Sequence, residues 1–247
     1  MARVLDVLAV ILAAGKGVRM KSDIPKVMHR ILGRPMLSFV IDAVKDSGIS
    51  RILLVVGYMS DMVKDHFKGS DMTFVEQKER LGTGHAVIQA EPYLKDFLGT
   101  VVVLAGDMPL ITSETIKGLL AHHSLNNAKA TVLTAKVAEP FGYGRIIRGE
   151  GARVLRIVEE RDAESDEKKI KEINSGVYCF ECSALLAALK EIKPENDQKE
   201  YYLTDTIEIL NKKGLPVFAF TCEDPNEAIG VNTKEELLNV EKILKKN

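Results

Sequence analysis

The segment Leu12-Ala13-Ala14-Gly15-Lys16-Gly17-Val18-Arg19-Met20 sets two glycines directly behind an apolar run. Glycines let a backbone approach a ligand closely, and successive N–H groups can then face phosphate oxygens. Two familiar phosphate motifs do not fit. A dinucleotide fingerprint needs a third glycine where Met20 stands, and a P-loop needs Ser or Thr where Gly17 follows Lys16. From the glycines alone, a plain turn explains the loop equally well. Arg19 lies within the loop, and Pro25-Lys26 follows soon after. Either cation by itself suits a solvated surface, but two of them beside glycine amides suit a polyanion. Pro25 fixes its own φ and restrains Ile24, which could hold Lys26 in a set direction.

Such a loop needs a rigid carrier, and the hydrophobic pattern supplies one. Residues 8–12, 52–56, 73–75 and 101–104 are apolar runs of strand length. Between them, residues 35–47 place Leu37, Val40, Ile41 and Val44 at helical spacing, with Gly48 as a stop signal. Residues 60–67 and 84–90 read as further helices, and Ser113-Glu114 as the cap of a helix running to about His122. Fully apolar strands alternating with helices predict a mostly parallel sheet covered on both faces, with ligands at the carboxyl ends of its strands. The second half is less regular. Residues 130–135, 144–147, 154–158, 176–180 and 217–220 read as strands, the middle ones spaced closely enough to expect antiparallel pairing. Residues 183–189, 203–213 and 234–245 read as helices, and the charged run 159–172 as a solvated loop or movable flap. One domain over 1–247 is expected. Its nucleotide half runs to about 120, its acceptor half spans about 121–232, and a C-terminal helix occupies 233–247.

Composition narrows the class. Lys and Arg number 34 against 35 Asp and Glu, a net charge of −1, so there is no bulk positive field for nucleic acid. Hydrophobic residues at 46% and charged residues at 28% exclude a disordered chain. No run approaches the ~20 apolar residues of a membrane span. Arg3 followed by Asp6 makes a poor secretory signal. No nucleic-acid or membrane partner and a cytoplasmic location are expected. Cys179, Cys182 and Cys222 fit a reducing compartment and read as structural thiols, since no second ligand pair accompanies them. His122-His123 reads as a cationic helix end suited to the dipole.

The glycine loop followed by Pro25-Lys26 resembles the signature of the sugar-1-phosphate nucleotidyltransferases. Gln77 with Leu81-Gly82-Thr83-Gly84-His85-Ala86 and then Leu104-Ala105-Gly106-Asp107-Met108-Pro109-Leu110 follow in the family's order. So do Gly142-Tyr143-Gly144-Arg145, Ile157-Val158-Glu159, Ile173-Asn174-Ser175-Gly176, Glu200-Tyr201-Tyr202-Leu203-Thr204-Asp205 and Gly230-Val231-Asn232. The set covers nearly the whole chain. It looks like the N-terminal pyrophosphorylase domains of the bifunctional UDP-N-acetylglucosamine pyrophosphorylase/glucosamine-1-phosphate acetyltransferases.

The resemblance implies an α/β, Rossmann-like nucleotide-diphospho-sugar transferase fold with a smaller antiparallel acceptor-binding part. It implies UTP and a sugar 1-phosphate as partners, with UMP passing to N-acetylglucosamine 1-phosphate and pyrophosphate leaving. The nucleophile is a phosphate oxygen with a second pKa of about 6, so no general base is required. The protein has to align two anions and neutralise the leaving group. By resemblance, Leu12, Ala13, Ala14 and Gly15 contact the nucleotide through backbone, and Arg19 and Lys26 stabilise the triphosphate. Gln77 would bind the uracil, with Gly82 and Thr83 closing around the base. Gly144, Glu159, Asn174, Tyr202 and Thr204 would hold the sugar. Asp107 and Asn232 would hold Mg²⁺, which binds through few protein ligands plus phosphate oxygens. Asp107 could instead be a helix cap or turn residue, and Asn232 could cap the helix beginning near Thr233. His85 is expected to position rather than transfer protons, and Tyr143 to act as a hinge or lid.

This chain departs from the family at Ala105, where a tyrosine is usual, and at Val18 and Ser175, where threonines are common. Two other readings stand beside the first. One is a uridylyl- or thymidylyltransferase for another sugar 1-phosphate, against which the Glu200–Asp205 segment argues. The other is a non-catalytic nucleotide-sugar sensor, against which the full set of Arg19, Lys26, Asp107 and Asn232 argues. No acetyltransferase β-helix is expected with this domain, and so a monomer or weak dimer is expected.

Overall fold

The computed structural model describes residues 6–150 and 153–246; Arg3 and Asn247 lie outside them. The chain runs β1 (Val7–Ala13), β2 (Arg30–Ile31), β3 (Arg34–Pro35), α1 (Met36–Asp46), β4 (Arg51–Val56), α2 (Ser60–His66) and β5 (Met72–Glu76). Then come α3 (Thr83–Ile88), α4 (Glu91–Leu94), β6 (Thr100–Ala105), α5 (Ser113–Leu125), β7 (Ala130–Lys136), β8 (Arg145–Arg148) and β9 (Val154–Val158). β10 (Glu172–Glu181), α6 (Cys182–Leu189), α7 (Asp205–Lys212), β11 (Val217–Thr221) and α8 (Lys234–Leu244) complete it.

Side-chain alternation divides the strands between two cores. Leu8 and Val10 of β1, with Val101 and Val103 of β6, pack under α3, α6 and α7. Ala9, Ile11 and Ala13, with Val102 and Leu104, pack against α1 and α5 on the opposite face. β1 and β6 bury both of their faces, which is why they read as continuous apolar runs. Met20, Ile31, Met36, Val231 and Val240 form a third, smaller cluster beneath α8.

Among the described residues nine strands form one sheet, with β11-β7-β10-β6-β1-β4-β5 along its length and β8, then β9, branching from β10, while β2 and β3 form a separate two-stranded sheet. β6, β1, β4 and β5 are mutually parallel. β10 runs antiparallel to β6, β7 and β8, while β11 is parallel to β7. The antiparallel part is therefore continuous with the parallel sheet. β1 lies between β4 and β6, so the chain order reverses at its carboxyl end, the crevice where open α/β sheets bind ligands.

The structure adjusts several expected boundaries. The N-cap of α5 is Thr112, whose hydroxyl accepts the Thr115 N–H at 3.2 Å, rather than Ser113. β10 begins at Glu172 and so includes Asn174. The short helix α4 and the β2–β3 hairpin have no strong period in the sequence. His123 is buried and its ring contacts Thr131 Oγ1 at 3.0 Å. Burial drives its pKa down to about 4, so it is neutral rather than a helix-end cation. Residues 159–171 form a loop with one short 3₁₀ turn, held by Glu160 to Arg145 at 2.7 Å and by Glu167 to Arg156 at 2.5 Å, and Glu172 already belongs to β10.

Candidate active site

Four strand ends build the first part of the site. β1 runs into the glycine loop, which is drawn against β6 and β4 by Gly106 N–H to Leu12 O at 2.9 Å and Tyr58 N–H to Ala14 O at 3.1 Å. β5 delivers Gln77, whose N–H bonds Val56 O at 2.8 Å. β6 delivers Asp107. These ends enclose a cavity of about 280 Å³, lined by Leu12, Ala13, Ala14, Gly15, Lys26, Gln77, Gly82, Thr83 and Asp107. Val27, Arg80, Ala86, Ala105 and Glu200 complete the wall.

Lys26 is positioned by packing. Gly17 has φ +68°, and a Cβ there would stand 2.5 Å from Lys26 Cβ, so the loop closes directly over the lysine stem. Lys26 Nζ donates to Asp107 Oδ2 and, at 2.9 Å, to Asn232 Oδ1. Asn232 arrives from the loop before α8, whose Val231 N–H bonds Asp107 O at 2.8 Å. A capping box on Thr233 and Glu236 starts α8, so Asn232 is not its cap. Asp107 caps nothing either, since α5 begins six residues later. The carboxylate and the amide oxygen converge on one point for a reason other than helix chemistry. Gly230 packs beside that point, where a Cβ would make van der Waals contact with both Asp107 oxygens at 3.4 Å. One carboxylate and one amide oxygen are hard donors, fitting a cation that keeps waters and phosphate oxygens in its remaining positions. Among the described residues there is no cluster of three or more His, Cys, Asp or Glu side chains that could hold a metal.

The acceptor-half residues also converge. Asn174 N–H bonds Gly144 O at 2.8 Å, and Thr204 Oγ1 donates to Glu159 Oε1 at 3.3 Å. A Cβ at Gly144 would meet Glu159 Oε2 at 3.4 Å and Asn174 Cβ at 3.5 Å, so three of the expected sugar residues share one small space. A bulge between Asn174 and Tyr178 turns the strand there. Ser175 closes it, its hydroxyl donating to Leu133 O at 2.8 Å and accepting Val177 N–H at 3.1 Å. A threonine would offer the same hydroxyl, which explains why this departure is tolerated. Asn174 Nδ2 donates to Tyr178 OH at 2.8 Å. Burial raises the Glu159 carboxyl above its ordinary range, against the Thr204 bond. Burial, with Glu208 and Asp162 nearby, lifts Asp205 to about 6. Tyr202 is buried and its hydroxyl accepts from Gln198 at 2.6 Å.

The two halves are laced together. Gly84 N–H bonds Tyr201 O at 2.8 Å, Tyr201 N–H bonds Leu81 O at 2.7 Å, and Leu203 N–H bonds Thr83 Oγ1 at 3.1 Å. Gly82, at φ +109°, sits where a Cβ would be 2.5 Å from Tyr201 O. Tyr143 bonds the Gly230 backbone. Burial raises its hydroxyl to about 12, with the Glu236 and Asp107 charges acting in the same direction.

Arg19 does not line the cavity, and neither do Asn232 or the five expected sugar residues Gly144, Glu159, Asn174, Tyr202 and Thr204. Arg19 is exposed on a 3₁₀ turn over Val18–Met20 and makes no ion pair among the described residues; its charge is felt by Tyr143. Arg80 and Glu200 were not legible as site residues. Arg80 lies over the Tyr58 ring at 5.8 Å and Lys16 over the same ring at 5.3 Å, contacts with no sequence signal.

A crevice at the strand-order switch, a glycine loop, a lysine and two oxygen donors define an open α/β enzyme that handles a nucleotide's phosphates. Over residues 8–226 the sequence matches the family described as nucleotidyl transferase, and the chain belongs to that family. The bifunctional protein GlmU of Pelotomaculum thermopropionicum is 50% identical over 242 residues, 98% of this chain and 53% of that protein. The bifunctional protein GlmU of Geobacter metallireducens is 48% identical over 233 residues, 94% of this chain and 49% of that protein. The chain thus spans about half the length of these relatives. The crystal structure of a UDP-glucose pyrophosphorylase complexed with UDP-glucose superposes with a TM-score of 0.78 at 18% identity, covering 98% of this chain and 99% of that one. That likeness establishes the fold.

Proposed function

We propose that the chain transfers UMP from UTP to N-acetylglucosamine 1-phosphate, giving UDP-N-acetylglucosamine and pyrophosphate. The observation that carries this reading is the meeting of Lys26, Asp107 and Asn232 beside the cavity that holds Gln77. A phosphate oxygen of the sugar 1-phosphate attacks the α-phosphorus of UTP. The new O–P bond forms as the bond from the α-phosphorus to the bridging oxygen breaks, and pyrophosphate departs with the electron pair. The backbone from Leu12 to Gly15 and the side chain of Gln77 hold the nucleotide. Lys26 neutralises charge developing on the phosphates, and Arg19 adds to the field from the rim. Glu159, Asn174, Tyr202 and Thr204 orient the sugar against that centre. Asp107 and Asn232 would hold a divalent cation, with Mg²⁺ the ion that suits this oxygen set, and when bound it supplies charge neutralisation on the phosphates.

Pyrophosphate release from UTP, measured across several sugar 1-phosphates, tests this reading. The highest kcat/KM is expected with N-acetylglucosamine 1-phosphate, because a polar pocket leaves groups unpaired when the acetamido group is missing. Equal kcat/KM with glucose 1-phosphate would overturn the acceptor, and no release with any sugar would overturn the activity.

A further inference from the structure

Gln77 gives both protons of its amide nitrogen to the protein. Its Nε2 lies 3.1 Å from the Gly82 carbonyl and 3.1 Å from His85 Nδ1. A carbonyl oxygen only accepts, so the Gly82 contact fixes which end of the amide carries the protons. The second N–H therefore goes to His85 Nδ1, and the imidazole proton sits on Nε2. That Nε2 faces the Gln89 amide at 3.2 Å. A half-turn of this amide, whose nitrogen otherwise meets only the His85 carbonyl at 3.3 Å, brings its oxygen round to accept the ring proton. Gln77 is 3% exposed and lines the nucleotide cavity. Its Oε1 accepts no hydrogen bond among the described residues and is not a buried orphan, so it opens to the cavity.

We infer that His85 is a positioning residue for base choice. By taking up the second N–H of Gln77, it leaves the cavity facing an acceptor alone. This inference rests on the nucleotide reading of the cavity given above. Such an acceptor takes a base whose ring edge carries an N–H, as uracil does at N3. Cytosine presents a lone pair at N3 and meets the Gln77 oxygen unfavourably. Without His85, the Gly82 carbonyl still holds one proton of the amide, but the other is free to turn into the cavity. The site then offers a donor that cytosine can use, and discrimination falls.

The test is calorimetric binding of UTP and of CTP, with Mg²⁺ present, to the wild-type protein and to His85→Phe and His85→Asn. Phenylalanine keeps the ring's packing and removes the acceptor; asparagine keeps an oxygen near the Nδ1 position. His85→Phe is expected to lower the ratio of CTP Kd to UTP Kd by roughly tenfold or more, and His85→Asn to restore most of it. A structural role alone would weaken both nucleotides alike and leave the ratio unchanged. An unchanged ratio in His85→Phe overturns the role of His85 while leaving the nucleotide reading intact, as does an equal fall in His85→Asn. Equal affinities of the wild-type protein for UTP and CTP overturn the nucleotide reading, and this inference with it.

Discussion

Asp107 and Lys26 carry the sharpest expectations at the scale of single residues. Asp107 is half-buried, accepts from Lys26 and lies beside Gly230. If it holds the cation against the triphosphate, Asp107→Ala removes nearly all turnover while far-UV dichroism stays native, raising the barrier by several kcal/mol. Near-normal turnover would sink the metal assignment. Lys26→Ala is expected to lower kcat more than it raises KM, because its contact strengthens as charge develops on the leaving group. Steady-state kinetics showing only a KM change would reduce Lys26 to a uniform binding contact. Cys179 is a contrasting case, since burial raises its thiol far above the ordinary range and leaves it inert.

At the scale of elements, the glycine loop and α5 each carry a test. Gly17→Ala combines a left-handed backbone with a Cβ 2.5 Å from Lys26 Cβ. It should displace the lysine and cost roughly 1–2 kcal/mol of stability, with kcat falling at least about tenfold. A variant with wild-type kcat would show that the loop does not position Lys26. In α5, His123 is held neutral by burial, its pKa lowered from 6.5 to about 4. The unfolded chain takes up this proton at higher pH than the folded protein does. Stability is therefore full above about pH 6.5 and is lost as pH falls towards about 4, by on the order of 3 kcal/mol over that window. Urea unfolding of the wild type and of His123→Leu, near pH 7 and near pH 4, reads this directly. The two stability differences should diverge by about that amount, and parallel acid slopes would show that His123 is not a source of acid sensitivity.

At the scale of the whole molecule, one sheet joins strands from both the expected nucleotide half and the expected acceptor half. β10 pairs with β6 of the nucleotide half and with β7 and β8 of the acceptor half, and three bonds tie Leu81, Thr83 and Gly84 to Tyr201 and Leu203. Neither half can open without breaking ladder bonds in the other. Thermal unfolding followed by far-UV dichroism and by tyrosine absorbance should give coincident transitions. UTP with Mg²⁺ should shift both upward together. Two separated transitions would mean that the acceptor half folds as an independent unit.

The sequence by itself determined the period of the strands and helices, the glycine loop with Lys26, and the ordered motifs that mark a nucleotidyltransferase. Those signals are local: strands buried on both faces must be apolar throughout, and a backbone that approaches phosphate must carry glycine. It did not show that Asp107 and Asn232, 125 positions apart, meet on Lys26 Nζ, because that contact closes only when the loop before α8 bonds back to the end of β6. The neutral state of His123 escaped it too, since a histidine in a helix's last turn reads as cationic until the sheet beneath buries it. Tertiary structure alone decided which members of each motif face the cavity. Arg80 and Glu200 do and Arg19 does not, because each side chain's direction depends on the turn that carries it and on what that turn packs against.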